Sequence, residues 1–128
     1  MPIVAHEEAE EIPWRPGYRV WRLAGAQQGV GCAVAIARIE PGAGAPLHVH
    51  GNTDEVLIVV EGRVEFRLGD ARHAVEAGHT VSIPAGQPHG FTALGPGTAV
   101  LHSFFPKIGA FADTRYLEGG PADGAALR

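Results

Sequence analysis

The chain holds a single cysteine, Cys32, among its 128 residues, so no internal disulfide can form and the fold must rest on packing. Cys32 sits in an apolar stretch, where a buried thiol in a reducing compartment is the expectation. Basic residues are also scarce: 10 Lys and Arg stand against 14 Asp and Glu, a net charge of −4, which offers no footprint for nucleic-acid binding by counterion release. No apolar run approaches the ~20 residues a membrane helix needs; the densest is Val56-Leu57-Ile58-Val59-Val60. The early residues include Glu7, Glu8, Glu10 and Glu11, the opposite of a basic and then apolar export signal. A cytoplasmic protein with neither a membrane nor a nucleic-acid partner is therefore expected. Helical patterning is thin as well, confined to residues 7–11 and 108–113, and the length suits one domain.

Turn-forming residues, by contrast, are abundant. The 18 glycines and 10 prolines nearly double the usual share of about 12% and recur at short intervals, the rhythm of short strands and tight turns. Between them lie candidate strands at residues 18–23, 32–39, 55–60, 63–68, 80–83 and 98–105. Residues 64–68 alternate strictly, placing Val64, Phe66 and Leu68 on one face. Residues 56–60 are apolar throughout, which predicts a strand buried on both faces, inside a sandwich or barrel. The acidic run reads as a solvated arm, and residues 119–128, small and polar, as a frayed tail.

Three of the seven histidines carry the chemistry. His48 and His50 lie two apart, so in an extended strand both imidazoles share a face. Residues 51–54 have turn composition, after which Glu55 opens the apolar strand; a glutamate there is costly to bury unless a cation neutralises it. His89 follows a turn made by Pro84 and Gly86, and Pro88 keeps Gln87 extended. Three imidazoles and a carboxylate suit one divalent transition metal, Fe, Mn, Ni, Cu or Zn, and leave two positions of a six-coordinate ion open to ligands.

The stretch from Gly42 to Gly62 resembles the first cupin motif, G-x5-H-x-H-x4-E-x6-G, at every fixed position: Gly42, His48, His50, Glu55 and Gly62. Residues 78–89 resemble the second, G-x5-P-x-G-x2-H, through Gly78, Pro84, Gly86 and His89. The family's second motif commonly ends in Asn four residues after the histidine, where this chain has Ala93. The resemblance implies an all-β fold, the double-stranded β-helix or jelly-roll cupin barrel, with His48, His50, Glu55 and His89 as metal ligands. It also implies a small-molecule substrate or ligand and a homodimer joined through barrel faces and N-terminal arms. The corresponding organisation is an arm at residues 1–16, a barrel at residues 17–118 and a tail at residues 119–128.

The remaining candidates are weaker. His73 and His79 lie at turns and are expected on the surface. Strand parity puts Thr98, Val100, His102 and Phe104 on one face and Ala99, Leu101, Ser103 and Phe105 on the other, so His102 lines the pocket only if its set faces inward. Phe91 should share the face of His89 and supply apolar wall, while Trp14, Trp21, Phe104, Phe105 and Phe111 suit core or dimer contacts. The functional expectation is an oxygenase-type metalloenzyme acting on a small organic substrate. A non-redox isomerase, lyase or decarboxylase and a non-catalytic binder are the alternatives.

Overall fold

Alternation decides which way each strand faces, and strand β6 (Arg63–Leu68) shows it most simply. Val64 and Phe66 are fully buried, while Glu65 and Arg67 point outward to ion pairs with Arg72 and Glu118. The computed structural model describes residues 2–121, and the side chain of Phe111 and the expected tail beyond residue 121 lie outside the description.

The other strands are β1 (Glu10–Arg15), β2 (Tyr18–Ala24), β3 (Ala33–Ile39), β4 (Gly44–His50) and β5 (Glu55–Glu61), followed by β7 (Ala71–Glu76), β8 (His79–Ile83), β9 (His89–Ala93), β10 (Ala99–Phe105) and β11 (Thr114–Tyr116). They form two antiparallel sheets, one in the order β1-β2-β3-β10-β5-β8 and the other β11-β4-β9-β6-β7. The inward faces meet in one apolar core that includes Val20, Ile39, Leu57, Val64, Phe66 and Leu101. This is the expected jelly-roll architecture. Among the described residues no helix is long and apolar enough to cross a membrane.

Two glycines show how closely the backbones approach. Gly62 turns the chain from β5 into β6 with φ +82°, and a Cβ there would lie 2.9 Å from the Cα of Ala99. On β4, a Cβ at Gly44 would fall 1.9 Å from the carbonyl oxygen of Phe91 on the neighbouring β9.

Three expectations need correction. Residues 56–60 are not buried on both sides: Leu57 and Val59 face the core, but Ile58 and Val60 are 41% and 43% exposed. Among the described residues no further layer covers that outer face, so uniform hydrophobicity here marks a one-sided strand. The stretch expected as an arm, residues 1–16, is only partly peripheral. Its residues 10–15 form edge strand β1, Ile12 enters the core, and Glu10 and Glu11 pair with Arg22 and Arg19. Cys32 is half-buried rather than enclosed.

Candidate metal centre

Strand β4 lies between β9 and β11, and the register sets the site. His48 pairs with His89 across β4 and β9, while His50 pairs with Thr114 and His48 with Tyr116 across β4 and β11. The same-face prediction for His48 and His50 holds: their ring centroids are 5.0 Å apart, and His89 lies 4.2 Å from His48 and 5.1 Å from His50. Glu55 comes from the opposite sheet, at the start of β5. Two loops bring the halves together. Gly86 donates its backbone N–H to the His50 carbonyl at 2.8 Å, and Ala85 donates to the Asp54 carboxylate at 2.8 Å.

The outer ring nitrogens determine which way the inner ones face. His48 Nδ1 donates to the Pro46 carbonyl at 2.7 Å, and His89 Nδ1 donates to the Gln87 carbonyl at 2.8 Å. The Thr114 hydroxyl donates to the Ala110 carbonyl at 2.9 Å, leaving its oxygen to accept from His50 Nδ1 at 2.8 Å. Carbonyl oxygens only accept, so the Nδ1 atoms carry protons and each Nε2 faces the interior, where a bound cation would take its lone pair in place of the contact with Glu55. Glu55 Oε1 lies 3.2 Å from His89 Nε2 and 3.5 Å from His50 Nε2, and Ser103 Oγ donates to Oε2 at 3.2 Å.

All four residues are buried, and their ligand atoms lie within 4.8 Å of one another. Donors bound at about 2.1 Å to one ion are at most ~4.2 Å apart, so the cluster is close to the spacing a single cation needs. Burial alone would raise the Glu55 carboxyl, but its bonds to His50 and His89 outweigh that and hold it at about 2. Burial, reinforced by repulsion from His89, lowers His48 to about 4, against the raising effect of its bond to Pro46. At neutral pH the cluster thus offers a carboxylate and an unprotonated His48, the forms that ligate.

A cavity of about 30 Å³, room for about one water, adjoins the cluster. Phe91, Phe105, Trp14 and Tyr18 wall it, and Tyr116 stacks on His48 with ring centroids 5.5 Å apart. Phe91 takes the wall position that its spacing from His89 predicted.

His102 does not reach this cavity. On β10 the set Ala99, Leu101, Ser103 and Phe105 turns inward, and His102 meets the ring of His6 on the outer face, 6.5 Å away. His73 and His79 are exposed, as expected. Contributors that escaped the sequence reading include Arg15, Ser103, Thr114 and Tyr116. Pro13 removes a ladder donor, and the β1 register shifts between Ile12 and Arg15, so Trp14 and Arg15 are both half-buried and no alternation marks either. Strand β11 spans three residues, too few for periodicity to show, and its sole signal is that Thr114 and Tyr116 share a face.

A family model described as a cupin domain matches residues 35–105. Quercetin 2,3-dioxygenase of Bacillus subtilis (strain 168) is 40% identical over 80 residues, covering 62% of this chain but 23% of that protein. Among solved structures, the polyketide cyclase RemF from Streptomyces resistomycificus superposes with a TM-score of 0.76 at 18% identity, covering 98% of this chain and 89% of its own. KdgF from Halomonas sp. does so with a TM-score of 0.72 at 22% identity, covering 84% and 94%. With both motifs in place on the two-sheet barrel and the family match spanning more than half its residues, the chain belongs to the cupin family.

Proposed function

We propose that this cupin holds one divalent transition metal per chain, Fe, Mn, Ni, Cu or Zn, on His48, His50, Glu55 and His89. We further propose that it acts as an enzyme on a small organic substrate, with oxygenase-type oxidation as the leading reaction. The observation that carries this reading is the set of three anchored Nδ1 atoms, which turns three Nε2 atoms toward one buried carboxylate. When bound, such a metal supplies Lewis acidity or one-electron and O₂ chemistry. The chain's own residues supply the rest. Glu55 offsets part of the cation's charge, Ser103 holds the far carboxylate oxygen, and Phe91, Phe105 and Trp14 exclude water from the reacting end. The likeness to a quercetin 2,3-dioxygenase supports oxidation over the non-redox readings.

Elemental analysis of protein grown with each metal is the first test: about one metal per chain is expected, and none would end the reading. Turnover of small phenolic and enolic substrates is then compared with and without O₂. Consumption of O₂ in step with substrate is expected. Equal turnover without O₂ points to an isomerase, lyase or decarboxylase, and saturable binding without turnover points to a binding module.

We also propose a cytoplasmic homodimer. Its support is the outer face of the six-stranded sheet, where Ile58, Val60 and Phe104 stand 41%, 43% and 37% exposed on neighbouring strands. Sedimentation should give a dimer that Ile58→Asp dissociates. A monomeric wild type would refute it.

A further inference from the structure

We propose that Arg15 is the anchor for an anionic group, a carboxylate, on the molecule that enters the metal cavity; this rests on the metal-dependent reading above and narrows its substrate class to small carboxylic acids. Among the residues lining that cavity, Glu55 is the one acid and Arg15 the one permanently cationic side chain. Glu55 is committed to the donor cluster. Arg15 is not.

Two contacts fix the Arg15 guanidinium. Its Nη2 donates to the Gly120 carbonyl, and its Cζ lies 5.5 Å from the centre of the Tyr116 ring. Tyr116 in turn stacks on His48, so a single aromatic ring separates the guanidinium from the donor cluster. Within this arrangement the Arg15 Nε–H is buried and has no hydrogen-bond partner among the described residues. A buried, unpaired donor on a charged group is costly, and the Nε edge of a guanidinium matches the two oxygens of a carboxylate. The Gly120 contact does not account for the arrangement, because a neutral amide would serve that carbonyl equally well.

Charge points the same way. A divalent cation held by one carboxylate and neutral imidazoles keeps a net positive charge, and Arg15 adds another on the cavity wall. An anion is therefore favoured over a neutral molecule of the same shape. The cavity's small volume, about 30 Å³, restricts the inner end of the ligand to about one water-sized group. A short-chain carboxylate with a second oxygen near the first fits both ends, the carboxylate on Arg15 and the other oxygen toward the cluster.

Trp14 lines the same cavity and provides a readout independent of turnover. Glycolate and its neutral counterpart ethylene glycol are titrated into zinc-loaded and metal-free protein, following tryptophan fluorescence, for wild type, Arg15→Gln and Arg15→Lys. Glycolate should saturate and ethylene glycol should not. Arg15→Gln should weaken glycolate on the order of tenfold or more, with metal content and thermal midpoint unchanged, and Arg15→Lys should recover part of the loss. The proposal is overturned if glycolate does not saturate in wild type, if ethylene glycol binds equally well, or if Arg15→Gln binds glycolate like wild type. If Arg15→Gln does not fold, Arg15→Lys decides: weaker glycolate binding supports the proposal and wild-type binding overturns it. Protein that takes up no metal would refute the metal-dependent function alone, because the Arg15 dependence is read separately on the metal-free form.

Discussion

The inner ends of β4 and β9 carry histidines, and so do the exposed edge strands β7 and β8 and the outer face of β10, in very different surroundings. His48, His50 and His89 are nearly inaccessible, and each has Nδ1 tied to a fixed acceptor. His73 and His79 stand in solvent, and His102 lies on the outer face of its sheet against the ring of His6. His79 also ties its Nδ1 to a backbone carbonyl, that of Glu76 at 2.8 Å, yet among the described residues it belongs to no group of three or more converging donors. A tethered imidazole is therefore not enough to make a site: convergence distinguishes the inner set, the β4–β9 register bringing His48 and His89 together and β5 adding Glu55 from the other sheet.

The sharpest way to break this comparison is to remove one histidine from each region. His89→Ala should abolish metal retention through dialysis, taking elemental content from about one ion per chain to near zero, while His73→Ala should leave it unchanged. Circular dichroism should show the sheets intact in both. Equal loss in the two variants would dissolve the distinction.

Acid should separate the regions next. His48 has a folded value of about 4, below its ordinary 6.5, so between those values the unfolded chain binds the extra proton. Metal-free protein should therefore lose thermal stability as pH falls from about 6.5, with the His48 contribution spent by about 4. Glu55, held at about 2 against an ordinary 4.5, stabilises the fold above 4.5 and loses that effect as pH falls toward 2. Metal retention should collapse over the same descent, because protonated His48 cannot ligate. Occupancy that stays flat to pH 4, measured after buffer exchange, would contradict the donor assignment.

Much of this was legible in the sequence, and the failures have identifiable causes. The four donors could be read because two of them obey strand parity and the turns around Gly51 and Gly86 carry their own composition. Strand β6 was legible from alternation alone. The outer face of β5 was misread because an apolar residue such as Ile58 signals burial without saying whether this chain or another surface supplies it. His102 could not be placed, since both faces of β10 carry apolar residues and neither reads as wet. Thr114 and Arg15 were invisible for a different reason. Each acts from a short or irregular edge strand, where no period accumulates.

Thr114 offers a finer test than the ligands. Thr114→Val keeps the shape but leaves His50 Nδ1 without its acceptor, so metal affinity should fall roughly 10- to 100-fold, the usual cost of removing such a partner. Competition with a chelator measures it, and an unchanged affinity would show that His50 is oriented by packing alone.

The smallest expected effect separates two neighbours in the chain. Ser103 donates to Glu55 Oε2 from the inner face of β10, while His102 lies one residue earlier and on the opposite side. Ser103→Ala removes a single bond to a buried carboxylate, so metal affinity should drop several-fold, on the order of one charge-assisted hydrogen bond at most. His102→Ala should leave the affinity unaltered, because strand parity holds the ring outside the barrel whatever the metal does. If the two variants weaken the metal equally, the partition of β10 into a working face and an outer face fails, and with it the separation of the inner histidines from the rest.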